Sequence, residues 1–223
     1  MLFGNPKLYA RAREAKLGKA SLSGPLEDLR VWVNSRYSIN VLDIVYDSIE
    51  LGPHEGRPRL NLIIETTGDY DQLHKDSLTL KPSIKRSILN RFSRIVSASP
   101  SPKQFNTDNV HLITDDFSRE AIGRATEQFL RNDSQTIVVN FPDANIWDIS
   151  GFSGLIVVFY HTEDDIVGNQ KNGQSDAIRQ SCYEKVKPYD EFRYLTPDKF
   201  SLKFDSKQNV DENYKGSMFY YWR

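Results

Sequence analysis

A single cysteine, Cys182, in 223 residues leaves no disulfide framework and no Cys-rich zinc module. An excess of either charge is also missing: 29 Lys and Arg stand against 30 Asp and Glu, a formal net charge of −1, without the basic surplus of a general polyanion binder. The longest uninterrupted apolar run, Leu155 to Tyr160, has six residues, where a membrane-spanning helix needs roughly 20. No Gly-rich loop precedes a helix in the order that phosphate binding requires. Gly151-Phe152-Ser153-Gly154 is one residue short of a G-x-S-x-G elbow, and His54, His74, His111 and His161 have no spacing that pairs any two of them. Cys182 falls on an apolar helical stripe, where a lone cysteine behaves as a small hydrophobe. The expectation is a cytoplasmic globular protein without a cofactor or a metal.

What is present reads as alternating helices and strands. Residues 1–20 contain Lys7, Arg11, Arg13, Lys16 and Lys19, too many cations for a secretory apolar block. The local grammar is that of a helix: Asn5 to cap, Pro6 at the first position, Lys16 in the last turn, Gly18 to stop. A second helix is expected from Pro25, burying Leu26, Leu29 and Val33. Alternation from Ile39 to Ile49, with Leu42, Ile44 and Tyr46 inward, and again from Arg59 to Thr66 predicts a hairpin about the turn Gly52 to Gly56. A helix over Pro82 to Val96, a Ser/Pro patch at Ser97 to Pro102 and a strand at His111 to Thr114 complete an α-β-β-α-β order.

That order recurs. A helix from Ser118 buries Ile122, Ala125 and Phe129, which are Leu26, Leu29 and Val33 shifted by 96. Strands at Gln135 to Phe141 and Leu155 to Thr162 follow, then a helix burying Ile178, Cys182 and Val186, and a strand from Ser201 to Asp205. Offsets of 96, 95, 94 and 90 across four elements point to an internal pseudo-repeat. The tail Gly216 to Trp222 reads as a last strand. The expected fold is therefore α+β: two successive α-β-β-α-β units with antiparallel sheets packed against helices. An N-terminal basic extension covers 1–24, the first unit 25–117 and the second 118–223, with one compact body open as an alternative to two.

Three features carry functional expectations. Between Ser77 and Thr107 lie Lys81, Lys85, Arg86, Arg91, Arg94 and Lys103 and no acid, so the helix of Lys85 to Arg94 could face an acidic protein surface or phosphates. Its only aromatic, Phe92, points inward, which argues against single-strand stacking. Glu163, Asp164 and Asp165, with His161 beside them and Glu65, Asp69 and Asp71 after the earlier strand, suggest acidic loops able to hold a divalent ion for hydrolysis. Finally, aromatics outside any inward stripe, Trp147 and Phe152 among them, suit a recognition surface. The leading reading is a protein-interaction module of the immunity or adaptor kind that binds another protein without turnover. A metal-dependent hydrolase and a nucleic-acid binder are the alternatives.

Overall fold

The computed structural model describes residues 2–223. The chain divides into two units, Met1–Ser118 and Arg119–Arg223.

In the first unit, helix α1 (Pro6–Lys16) starts where the Asn5 side chain accepts the Leu8 N–H at 3.0 Å and Pro6 needs no partner for a missing donor. Helix α2 (Gly24–Tyr37) is followed by strands β1 (Val41–Ser48) and β2 (Pro58–Ile64), an antiparallel hairpin. Helices α3 (Thr67–Leu73) and α4 (Pro82–Ser97) then carry the chain across to β3 (His111–Asp116), which lies parallel to β2. Strand order is β1-β2-β3. A parallel third strand cannot be reached by a tight turn, and these two helices supply the crossover. One sheet face buries Ile44, Leu60, Leu62 and Ile64 against Leu29 and Val33 of α2 and Ile88, Phe92 and Val96 of α4. On the other face Asp43 binds Arg11 of α1, and Asp115 accepts the Leu2 N–H and the Asn61 amide.

The second unit repeats this plan. Helices α5 (Phe117–Asn132) and α6 (Ser134–Asn140) precede the antiparallel pair β4 (Ile146–Phe152) and β5 (Leu155–Tyr160). Helices α7 (Glu163–Lys171) and α8 (Gln174–Val186) cross over to β6 (Ser201–Ser206), parallel to β5. Ala125, Phe129, Ile178, Cys182 and Val186 cover one face of the sheet. Val210 of α9 (Lys207–Asn213) and Met218 and Tyr221 of α10 (Met218–Tyr221) cover Val157 and Phe159 on the other.

The α+β class, the first hairpin and the repeated order follow the sequence reading, with corrections of detail. The sheets are antiparallel only within each hairpin, because the third strand joins parallel. Residues 135–141 are mostly helix, not strand. The strand that pairs with β5 is β4, because Ser153 (φ 51°) and Gly154 (φ 89°) form a two-residue turn of positive φ that selects a tight hairpin. Ile137 is then free to pack helically into the core. The tail is helical too: Ser217 accepts the Tyr220 and Tyr221 amides through its carbonyl, and no sheet edge takes the segment up. In β1 an irregularity between Val41 and Asp43 turns Leu42 off the core, and Val41 takes its place. The same irregularity falls between Ile146 and Asp148 in β4. The Ser/Pro patch lies inside the first unit, between α4 and β3, and leads into a short 3₁₀ turn at Pro102–Gln104.

Candidate functional site

The acidic segments are structural first turns, not open loops. Thr66 and Thr162 cap α3 and α7, accepting the N–H of Asp69 and Asp165 at 3.2 and 3.1 Å. Asp165 returns the interaction, accepting the Thr162 N–H at 2.9 Å, its hydroxyl at 2.7 Å and the Asn145 amide at 2.9 Å. The Thr162 and Asn145 bonds favour its ionised form and hold its carboxyl below the ordinary value, outweighing the opposing cost of burial. Glu163 accepts the Ser206 hydroxyl, and Asp164 is exposed. Glu163, Asp164 and Asp165, expected in an acidic loop, therefore form the first turn of α7, and Asp69 the first turn of α3. Among the described residues no three or more His, Cys, Asp or Glu side chains lie together in a way that could hold a metal ion.

Cys182 and His74 are likewise built into the packing, whereas His54 and His161 are exposed. Cys182 is buried, and desolvation raises its thiol from 9.0 to about 12. His74 is buried, stacked on Tyr70 at 3.8 Å between centroids, with Nδ1 2.6 Å from the Tyr70 carbonyl and Nε2 2.9 Å from the Thr114 hydroxyl. A cleft of about 360 Å³ beside α1 and α2 is lined by Arg11, Asp43, Glu27 and Arg30 over Leu22 and Leu42. Its charges are matched internally: Arg11 grips Asp43 at 2.6 and 3.0 Å, and Arg30 grips Glu27 at 2.7 and 2.6 Å.

The basic helix is different. On α4, Arg86, Arg91 and Arg94 are exposed and Lys85 half-buried. Among the described residues no carboxylate forms an ion pair with any of them, whereas α2, α5 and α9 carry intrahelical pairs such as Arg30–Glu27, Arg124–Glu120 and Lys207–Asp211. The helix contains no acid at all, so neutralisation would have to come from a neighbouring element, and α2 instead contributes aromatics. Arg91 lies over the Trp32 ring at 5.7 Å, Trp32 meets Tyr37 edge-on at 5.9 Å, and Arg36 lies over Tyr37 at 5.9 Å. Tyr37 is among the aromatics that the sequence places outside any inward stripe and Trp32 lies beside the stripe of α2, but their meeting with α4 is non-local and was not legible.

The two aromatics expected at a site belong to the second unit. Trp147 belongs to the apolar cluster on the second face of its own sheet, edge-on to Phe159 at 5.9 Å with Lys207 over its ring at 5.6 Å. Phe152 is exposed at the end of β4, next to the hairpin turn. Comparison with protein-family models, with curated proteins and with solved structures finds no match in any of the three.

Proposed function

We propose that the chain is a protein-interaction module, of the immunity or adaptor kind, that docks an acidic partner protein on the α2–α4 face of its first unit. The observation that carries the reading is the run of unneutralised cations on α4, with Arg91 held over Trp32 beside the Arg36–Tyr37 pair of α2, in a chain whose overall charge is near zero. Arginine with tryptophan and tyrosine is the composition that dominates binding energy at protein interfaces, and ring-stacked guanidinium groups lose less freedom on docking. Exposed Val31 on α2 adds apolar area at the edge. A protein is favoured over nucleic acid because the Trp32 ring, packed against the core, already carries Arg91, and Tyr37 already carries Arg36. Bases stacking on a protein need open ring faces.

The test starts with the full chain immobilised at low salt and the retained protein identified, purified and titrated calorimetrically. The variant R86E/R91E/R94E should weaken that partner by roughly 100-fold or more, since like charges across an interface oppose each other, while its melting temperature stays unchanged. An equal affinity for the variant would overturn the proposal, and so would a retained load that nuclease removes.

A further inference from the structure

The hairpin loops of the two units differ in length, 49–57 against 153–154, and so do the links between the crossover helices, of which the first unit's leads directly into the basic helix α4. From α7 to α8 the second unit needs two residues, 172–173, whereas the first spends eight, 74–81, between α3 and α4. The same fold closes with the short link, so the six added residues are not required for the crossover. Insertions in one copy of a repeated unit collect on binding faces.

The added segment is ordered by its own bonds. His74 and Leu80 form a bridge, Lys75 donates its N–H to the Thr79 carbonyl at 3.0 Å, and Lys81 donates its own to Leu73 at 2.9 Å. Asp76 Oδ1 accepts the Leu78 and Thr79 amides at 3.0 and 2.7 Å, and Tyr70 donates its hydroxyl to the Ser77 carbonyl at 3.3 Å. The His74 ring ties the base to β3 through Thr114. These bonds hold up Leu78, whose surface is 87% exposed. A flexible loop could fold its one apolar tip against the protein, whereas this loop holds it in water.

We propose that Leu78 is the apolar anchor of the docking face and enters a small hydrophobic pocket on the partner, rimmed by carboxylates that meet Lys75, Lys81 and Lys85. This rests on the function proposed above and adds to it the shape of the partner's surface. A backbone ordered in advance makes a stronger anchor because that part of the ordering cost is already met in the free protein. The sequence that follows it is one-sided in charge, with six cations and no acid from Ser77 to Thr107, and the loop's own carboxylate, Asp76, is engaged with the loop's amides.

With the partner purified as above, affinities are measured for wild type, L78A and L78D, and for L51D as a control, since Leu51 is 83% exposed on the β1–β2 loop. L78D should weaken binding by at least about 30-fold and L78A by somewhat less, with L51D within twofold of wild type. Melting temperatures should not move. Photocrosslinking from a benzophenone residue at position 78 should label partner residues in an apolar pocket with an acidic rim. If R86E/R91E/R94E abolishes binding but L78D does not, the anchor is wrong and the docking face stands. If neither variant matters, or no protein is retained, both proposals fall.

Discussion

Cys182 offers a measurement whose size follows from the structure. The thiol is wholly buried among Phe129, Ile178 and Val186 on the core face of the second sheet, and burial lifts it from 9.0 to about 12. At pH 8 a thiol of pKa 12 is about one part in 10⁴ thiolate, roughly a thousand-fold below an ordinary cysteine, and only the thiolate attacks. Access multiplies this suppression, because no reagent reaches the sulfur unless the core opens. A disulfide reagent at pH 8 should therefore leave the native protein unmodified for hours and titrate one thiol per chain immediately in denaturant. Labelling of the native state within minutes, with a rate that levels off near pH 9, would refute the burial argument.

The same group gives a pH dependence of stability. The neutral thiol is favoured in the folded state, so the unfolded chain loses its proton first as pH rises past 9, and stability falls from there until the folded group titrates near 12. Each pH unit in that window costs about 1.4 kcal/mol. Between pH 9 and 11 the stability advantage of wild type over Cys182→Ala, measured by urea unfolding, should shrink by about 2–3 kcal/mol.

Two further perturbations test the packing of the second unit. At Gly151 a Cβ would press into the Leu155 carbonyl oxygen and come within 2.8 Å of Leu130 Cδ1, so Gly151→Ala should cost about 1–3 kcal/mol and lower the urea midpoint. An unchanged midpoint would mean that β4 moves freely. Tyr221 donates its hydroxyl to Asp205 at 2.6 Å, and burial together with that carboxylate pushes its phenol pKa upward. Tyr221→Phe should therefore destabilise by about 1–2 kcal/mol at pH 7, and the difference should narrow at strongly alkaline pH, where wild type loses the neutral phenol that the fold favours.

The parts legible in the sequence were those decided locally. Asn5, Pro6 and Gly18 bound α1, and the uniform apolar run of Leu155–Tyr160 is a central strand. Ile88, Phe92 and Val96, like Ile178, Cys182 and Val186, fall at helical spacing on one stripe. What escaped was decided by partners far along the chain. Ile137, Val138 and Val139 have strand chemistry but are helical, because the tight turn at Ser153 and Gly154 gives β5 a different neighbour. Helices α3 and α7 were missed although their Thr-x-x-Asp starts were visible. A stronger trace of the repeat was also there: Asn40-Val41-Leu42-Asp43-Ile44 against Asn145-Ile146-Trp147-Asp148-Ile149. It lies at an offset of 105, outside the 90–96 window, because the first hairpin loop spans 49–57 and the second only 153–154. On α4 the cations were legible, but the Trp32 ring under Arg91 comes from α2.

Residue identity is a poor guide to this repeat for a further physical reason. A parallel third strand has no hairpin to fix its end, so something must tie the crossover helix to it. In the first unit Thr67, at the start of α3, donates its hydroxyl to Asp116 at 2.6 Å. In the second Glu163, at the start of α7, accepts the hydroxyl of Ser206. Asp116 and Ser206 are equivalent, lying opposite Ile64 and Tyr160 at the ends of their strands. The hydroxyl and the carboxylate have changed places while the bond remains. Beside it the Ser118 and Gln208 amides donate to the carbonyls of Glu65 and His161 at 3.0 and 3.2 Å. A tether needs one donor and one acceptor at a fixed separation, and it is indifferent to which element carries which. Geometry of that kind can be met by different residue pairs, so matching the two halves residue by residue finds little while their topology coincides.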